Sequence, residues 1–199
     1  LYEKFAIIFF ENYFERERIS MVNERYALWC EKAVADKDVA DELKNMKNDS
    51  EAISEAFYKD LEIGTGGLRG IIGAGTNRMN IYTVGKASQG LAAYVNSVTE
   101  KGSIAVAYDS RIKSDVFART AASIFAANGI KVYIYEELMP TPMLSYAVRH
   151  FKCDAGIVIT ASHNPAKYNG YKAYGSDGCQ MPPDAANYIL ALMAKIDYF

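Results

Sequence analysis

Cysteine, proline and long apolar runs are all scarce in this 199-residue chain, and neither sign of charge dominates. Three cysteines, Cys30, Cys153 and Cys179, are too few and too scattered for a disulfide framework or a CxxC metal knuckle; they read as reduced thiols of a cytoplasmic protein. Lys plus Arg total 22 and Asp plus Glu total 24, a net charge of −2, which excludes the basic surface that drives non-specific nucleic-acid binding. The unbroken apolar run near the N-terminus, Phe5 to Phe10, falls far short of the ~20 residues of a membrane helix and has no signal-peptide cleavage site after it. No membrane and no nucleic acid are therefore expected as partners. What remains is the balance of a globular protein, 50% hydrophobic and 23% charged.

The charged stretch Glu15 to Arg18 leads into Met21, from which the sequence reads as an ordinary helical start. Met21 is taken as the natural initiator and residues 1–20 as an extension of uncertain origin. Residues 21–60 read as a helical segment: Val22, Tyr26, Trp29 and Ala33 form one apolar stripe, Asp38 is expected to cap a second helix bearing Val39, Leu43 and Met46, and Asp49 or Ser50 a third bearing Ile53 and Phe57.

At Leu61 the pattern changes, and residues 61–199 alternate short apolar runs with amphipathic helices. Gly64 to Gly75 is expected to be a loop. Helices are expected over Tyr82–Lys101 (with Val98 on its buried face), from a Ser114 cap to Asn128, from Thr141 to about Phe151, and from Pro182 onward. Strands are expected at Ile104–Tyr108, Lys131–Tyr135, Ala155–Thr160 and near Gly170–Tyr174. This order predicts a three-layer α/β/α domain with a mostly parallel mixed sheet, preceded by the helical segment. Ligands of such sheets sit beyond the carboxyl ends of the strands, where YDSR (Tyr108–Arg111) and TASHNP (Thr160–Pro165) emerge.

Ser162 beside His163 invites a serine-hydrolase reading. Thr160 and Asn164, however, stand where a nucleophile elbow needs glycine, adjacent extended residues point to opposite faces, and the only other histidine, His150, lies in an expected helix. The glycine-rich stretch from Gly64 fails the dinucleotide fingerprint at Arg69, and fails the P-loop at Thr76 and Asn77. An anion cradle survives, with flexible backbone N–H groups and the Arg69 fork; a merely structural turn is the competing reading.

Taken together, these loops resemble those of the α-D-phosphohexomutases, the phosphoglucomutase and phosphomannomutase enzymes. Thr160-Ala161-Ser162-His163-Asn164-Pro165 is similar to their phosphoserine loop, Tyr168 to Lys172 to its continuation, Tyr108 to Arg111 to a second loop, and Gly64 to Asn80 to the opening of the longer bacterial phosphoglucomutases and their phosphopentomutase relatives. The resemblance implies an intramolecular phosphotransferase that interconverts hexose 1-phosphate and hexose 6-phosphate through a phosphoserine at Ser162 and a bisphosphate intermediate. It implies Arg69, His163 and Lys172 around that phosphoserine, and Thr160, Asn164, Arg111 and Asp109 in support. It also implies Mg²⁺, bound here only through the phosphoryl oxygen on Ser162, and a glucose 1,6-bisphosphate-type activator.

Family members are several times longer, with four domains, and their aspartate-rich magnesium loop has no counterpart here; Asp177-Gly178 offers one carboxylate. The chain is thus expected to correspond to the first domain, inactive alone, with the remaining domains of the polypeptide as partners. Self-association is expected through a face of the last helix bearing Tyr188, Leu192 and Tyr198. The alternative is a non-catalytic domain binding sugar phosphates or a partner.

Overall fold

A computed structural model describes residues 2–61, 63–64 and 67–199, with side chains from Glu15 onward except at 63–64. The chain divides into two compact units, residues 1–60 with 73–78 and residues 61–72 with 79–199.

The first unit is helical. Helix α1 (Tyr2–Lys32) runs through residue 20 without a break, so the helical start expected at Met21 is not one: nothing between residues 2 and 32 is Pro or Gly, and Glu and Arg favour the helix. Its stripe buries Val22, Trp29 and Ala33; Trp29 and Phe57 meet edge to face at 5.7 Å. Helix α2 (Lys37–Asn45) is capped by Asp36, not Asp38. The Asp36 carboxylate accepts from the Asp38 and Val39 amides, while Asp38 sits inside the first turn, where it favours the helix dipole. Asp49 caps α3 (Ser50–Phe57) through the Ala52 amide at 2.9 Å.

The second unit carries the sheet. Strands β1 (Ile63–Gly64), β2 (Gly67–Ile71), β3 (Ser103–Tyr108), β4 (Lys131–Ile134), β5 (Ala155–Ile159) and β6 (Tyr168–Gly175) lie in the order β1-β2-β6-β5-β3-β4. Strands β4, β3 and β5 are parallel; β6 is antiparallel to β5 and to β2, and β2 to β1. Four of the six strands thus point one way, in a mixed sheet with two parallel and three antiparallel pairings.

Helices α4 (Ile81–Val98), α5 (Ser114–Ala127) and α7 (Pro183–Met193) cover one face and α6 (Thr141–His150) the other. The pleat divides β3 between these layers: Ile104 and Val106 pack with α4 and α5, and Ala105 and Ala107 with α6.

Several local expectations are corrected. Residues 64–75 are not one loop, because the end of β1 and all of β2 lie within them and the Leu68–Ile71 backbone pairs with β6. Thr65 and Gly66 lie outside the described residues. The glycines here serve close approach rather than looseness: a Cβ on Gly67, whose φ is +121°, would fall 1.8 Å from the Tyr171 carbonyl oxygen. The anion cradle therefore loses the backbone N–H groups of β2 and keeps the Arg69 side chain. Helix α4 is capped by Asn80, with Thr83 returning a bond to the Asn80 amide, and it ends at Val98, which is 60% exposed. Neither Ser114 nor Thr141 caps its helix: the cap positions are Lys113 and Pro140, neither of which makes a side-chain capping bond.

Gly170 marks where the sheet meets the TASHNP loop. A Cβ there would lie 2.6 Å from the Thr160 oxygen and 2.9 Å from the Leu68 oxygen, both backbone atoms that cannot swing aside. Gly170→Ala is expected to lower stability by about 3 kcal/mol, read from the denaturant midpoint at unchanged m-value.

Candidate functional site

The two polar loops leave adjacent strand ends. Strand β5 delivers Thr160 and Ala161 into a turn carrying Ser162, and β3 delivers Asp109 to Arg111; the Asp109 amide donates to the Ile159 oxygen at 3.1 Å and joins the two exits. Ser162 is exposed and has φ +54°, a left-handed conformation uncommon for a non-glycine residue. The extended alternation considered for Ser162 and His163 does not occur, since both lie in this turn. The Thr160 hydroxyl oxygen accepts the Ser162 amide at 3.0 Å, and the Asn164 amide donates to the Ala161 oxygen at 3.1 Å.

Two cations converge on the turn from the sheet. Arg69 on β2 stands opposite Gly170 on β6, and Lys172 is two residues further along β6, so both rise from one face. Lys172 Nζ donates to Ser162 Oγ at 2.8 Å, and one terminal nitrogen of Arg69 donates to Asn164 Oδ1 at 2.8 Å. Between them the strand is pinned by Tyr171, fully buried, whose phenol is pushed up by desolvation, with the nearby Ser88 hydroxyl partly opposing the shift.

Arg111 holds the loop from the other side. One terminal nitrogen donates to the carbonyls of Pro165 and Tyr168 at 3.1 Å each, and the other to those of Ser162 at 2.6 Å and Asn164 at 2.7 Å. Its Nε faces Asp109 Oδ2 at 3.5 Å. The two terminal nitrogens thereby reach four carbonyls while Nε pairs with a carboxylate, a fork that a lysine cannot reproduce. Asp109 Oδ1 accepts from the Arg111 amide at 3.0 Å and from the Ser114 hydroxyl at 2.8 Å.

Ser162, Lys172, Arg69, Asn164, Thr160, Arg111 and Asp109 are therefore brought together. His163 is exposed in the turn and makes no hydrogen bond or ion pair among the described residues; His150 lies at the end of α6, where it stacks on Tyr146. Two buried residues that the sequence did not assign to the site, Asn169 and the expected helix cap Ser114, complete the network. For Asn169 the available signals were its place in the Tyr168–Lys172 motif and a polar residue within a strand.

The donor set does not fit Mg²⁺, which requires near-octahedral oxygen coordination. Beside Ser162 Oγ stands an ammonium, and the neighbouring carboxylate of Asp109 is turned to Arg111 and Ser114. No cluster of three or more His, Cys, Asp or Glu that could hold a metal occurs among the described residues.

Residues 60–198 match the family model of the phosphoglucomutase/phosphomannomutase α/β/α domain I. The chain belongs to the phosphoglucomutase/phosphomannomutase family. As a domain I of that family it is 41% identical over 165 residues to a phosphoglucomutase of Staphylococcus epidermidis, covering 81% of this chain and 30% of that protein. It is 42% identical over 159 residues to one of Staphylococcus aureus strain USA300, covering 80% and 28%. A crystal structure of a Thermus thermophilus protein, provisionally named a phosphomannomutase, superposes with a TM-score of 0.64 at 32% identity, over 68% of this chain and 30% of that one. The chain thus spans less than a third of the length of these relatives. No helix among the described residues is long and apolar enough to cross a membrane.

Proposed function

We propose that this phosphohexomutase domain I carries the phosphoryl-bearing serine of an enzyme that interconverts hexose 1-phosphate and hexose 6-phosphate. The observation that carries this reading is the exposed Ser162 hydroxyl, held in a left-handed turn at 2.8 Å from Lys172 Nζ, with Arg69 bound to the same turn.

Phosphoryl transfer depends on positioning and charge neutralisation rather than on covalent help. A phosphoryl group on Ser162 Oγ projects from the turn towards solvent, where a sugar hydroxyl can approach in line. Lys172 already points at the oxygen that bridges to phosphorus, so its ammonium meets the charge that builds there when the group leaves. Arg69 adds a second positive charge on the same sheet face, and its fork suits phosphate oxygens. Thr160, Asn164, Arg111 and Asp109 keep the turn in place. His163, unengaged and next to the serine, is available to exchange a proton with the sugar hydroxyl.

The remaining domains of the relatives, about 70% of their length, would supply the rest of the sugar-phosphate site, with a glucose 1,6-bisphosphate-type activator recharging Ser162. In that assembly Mg²⁺ would supply electrostatic stabilisation, with ligands other than those described here. Titration of the 199-residue chain with Mg²⁺ is accordingly expected to show no micromolar site. A calorimetric site of that affinity that disappears in Ser162→Ala would overturn this expectation.

Self-association is proposed through α7, where Tyr188 is 48% exposed although its ring leans edge-on against Tyr94. Light scattering that shows a monomer at high concentration counts against it. The mutase reading is tested in the longest gene product carrying this chain, by coupled assay of glucose 1-phosphate conversion. No phosphoserine at residue 162 and no conversion would refute it and favour a non-catalytic sugar-phosphate-binding domain.

A further inference from the structure

We propose that Asn169 is a positioning residue for Ser162, acting through a polar relay that starts buried, runs Asn169–Ser114–Asp109–Arg111 and ends on the carbonyl oxygens of the TASHNP loop and Tyr168. The proposal deepens the phosphoserine reading and rests on it for its functional meaning.

The relay has one consistent polarity. The Gly170 amide can only donate, and it donates to Asn169 Oδ1 at 2.8 Å, which fixes the orientation of the carboxamide. Asn169 Nδ2 must then face away, and it donates to the Ile112 oxygen and to Ser114 Oγ, each at 3.0 Å. With its oxygen accepting from Asn169, the Ser114 hydroxyl proton is directed to Asp109 Oδ1 at 2.8 Å. Asp109 thereby holds its carboxylate toward Arg111 Nε, and Arg111 holds the carbonyls of Ser162, Asn164, Pro165 and Tyr168.

Burial and local geometry both separate the relay from an ordinary surface network. Asn169 and Ser114 are fully buried, and no buried side-chain nitrogen or oxygen among the described residues lacks a partner. A buried amide or hydroxyl is costly unless every member of its network is satisfied, so breaking one bond disturbs the others. Ser114 stands at the first position of α5, beside a cap site that makes no side-chain capping bond, yet its hydroxyl is directed to Asp109. The cap position itself is Lys113 with φ +59°, so the chain enters α5 through a left-handed residue while Ser114 serves the loop. Asn169, three residues before Lys172 on β6, thus links the strand that supplies the cation to the loop that supplies the serine.

The test uses amide hydrogen exchange and backbone chemical shifts of the 199-residue chain. In Ser114→Ala, exchange of the Asn164 and Tyr168 amides is expected to rise about tenfold relative to wild type, while β3 and β5 amides keep their protection. The Ser162 ¹³Cα and ¹³Cβ shifts are expected to leave their left-handed values for coil values. Asn169→Asp preserves volume and the bond from Gly170 but puts an acceptor where Nδ2 donates, and it is expected to loosen the same loop even if the alanine variant folds poorly. Unchanged loop exchange and shifts in either folded variant, or a uniform loss of protection across the sheet, would overturn the proposal. The readout involves no phosphate. A chain whose Ser162 never carries phosphate therefore refutes the mutase reading without touching the relay, and a working mutase with an undisturbed loop does the reverse.

Discussion

Ser162→Ala is expected to reduce glucose phosphate interconversion to background, a loss on the order of 10⁴-fold or more, in any polypeptide that joins this domain to the rest of the mutase. Among the described residues no neighbouring hydroxyl can take over. The Thr160 oxygen is committed to the Ser162 amide at 3.0 Å, and the Ser114 hydroxyl is buried and directed at Asp109. The same substitution should leave the fold almost untouched: alanine tolerates the left-handed turn about as well as serine does, and the only side-chain bond removed is the surface contact to Lys172. The thermal midpoint is thus expected to move by less than about 3 °C, within the range of an ordinary surface change. Intact mass adds an independent reading, since the phosphoryl increment on the wild-type chain should be absent from the variant. Turnover near the wild-type level in a folded Ser162→Ala protein would refute the assignment of the carrier.

Lys172 separates two contributions that Ser162→Ala removes together. Lys172→Met keeps the length and packing of the side chain but removes the ammonium 2.8 Å from Ser162 Oγ. If neutralisation at the bridging oxygen matters, kcat should fall on the order of 10²-fold, comparable to the loss of one oxyanion donor, with little change in KM. An equal rise in KM with kcat preserved would make Lys172 a ground-state binding residue instead.

How much of this was legible in the sequence depended on whether a residue's role is local. The apolar stripe of α1, the strands IAVAY and AGIVI, and the order of the sheet-forming segments follow from periodicity and turn residues, which act over a few positions. Ser162, Lys172, Arg69 and Arg111 were reachable because the loops that carry them resemble those of the phosphohexomutases. Asn169 and Ser114 were not, since their partners lie 55 residues apart and only the folded sheet brings them together. Ser114 was misread for a physical reason: a serine before a helix usually caps it, and here a tertiary acceptor, Asp109, competes successfully for the hydroxyl. The glycines of residues 64–75 were misread in a similar way. Glycine density suggests a flexible loop, but Gly67 and Gly70 are in β2, where Gly67 leaves room for the Tyr171 carbonyl and Gly70 for the Leu61 side chain.

Arg111→Lys keeps the positive charge and most of the stem, yet it is expected to be far from conservative. The guanidinium bonds four carbonyls at 2.6–3.1 Å through its two terminal nitrogens and pairs with Asp109 through Nε, in a planar array. An ammonium offers three donors from a single nitrogen and cannot span carbonyls on residues 162, 164, 165 and 168. At least two of these oxygens lose their protein partner, at about 1–3 kcal/mol each where water does not replace it, so global stability should fall by roughly 2–4 kcal/mol. The functional loss should be larger than that suggests. Displacing the phosphoryl-bearing oxygen by about 1 Å is enough to cost on the order of 10²-fold in rate, because in-line transfer tolerates little error. Substrate binding, dominated by groups outside this loop, should change little, so kcat falls while KM holds. The pattern differs from that expected for Lys172→Met in one respect: Arg111→Lys should also increase amide exchange at Asn164 and Tyr168, whereas removing the Lys172 ammonium should not. An Arg111→Lys protein with native loop protection and unaltered kcat would show that the carbonyl contacts are incidental to the site.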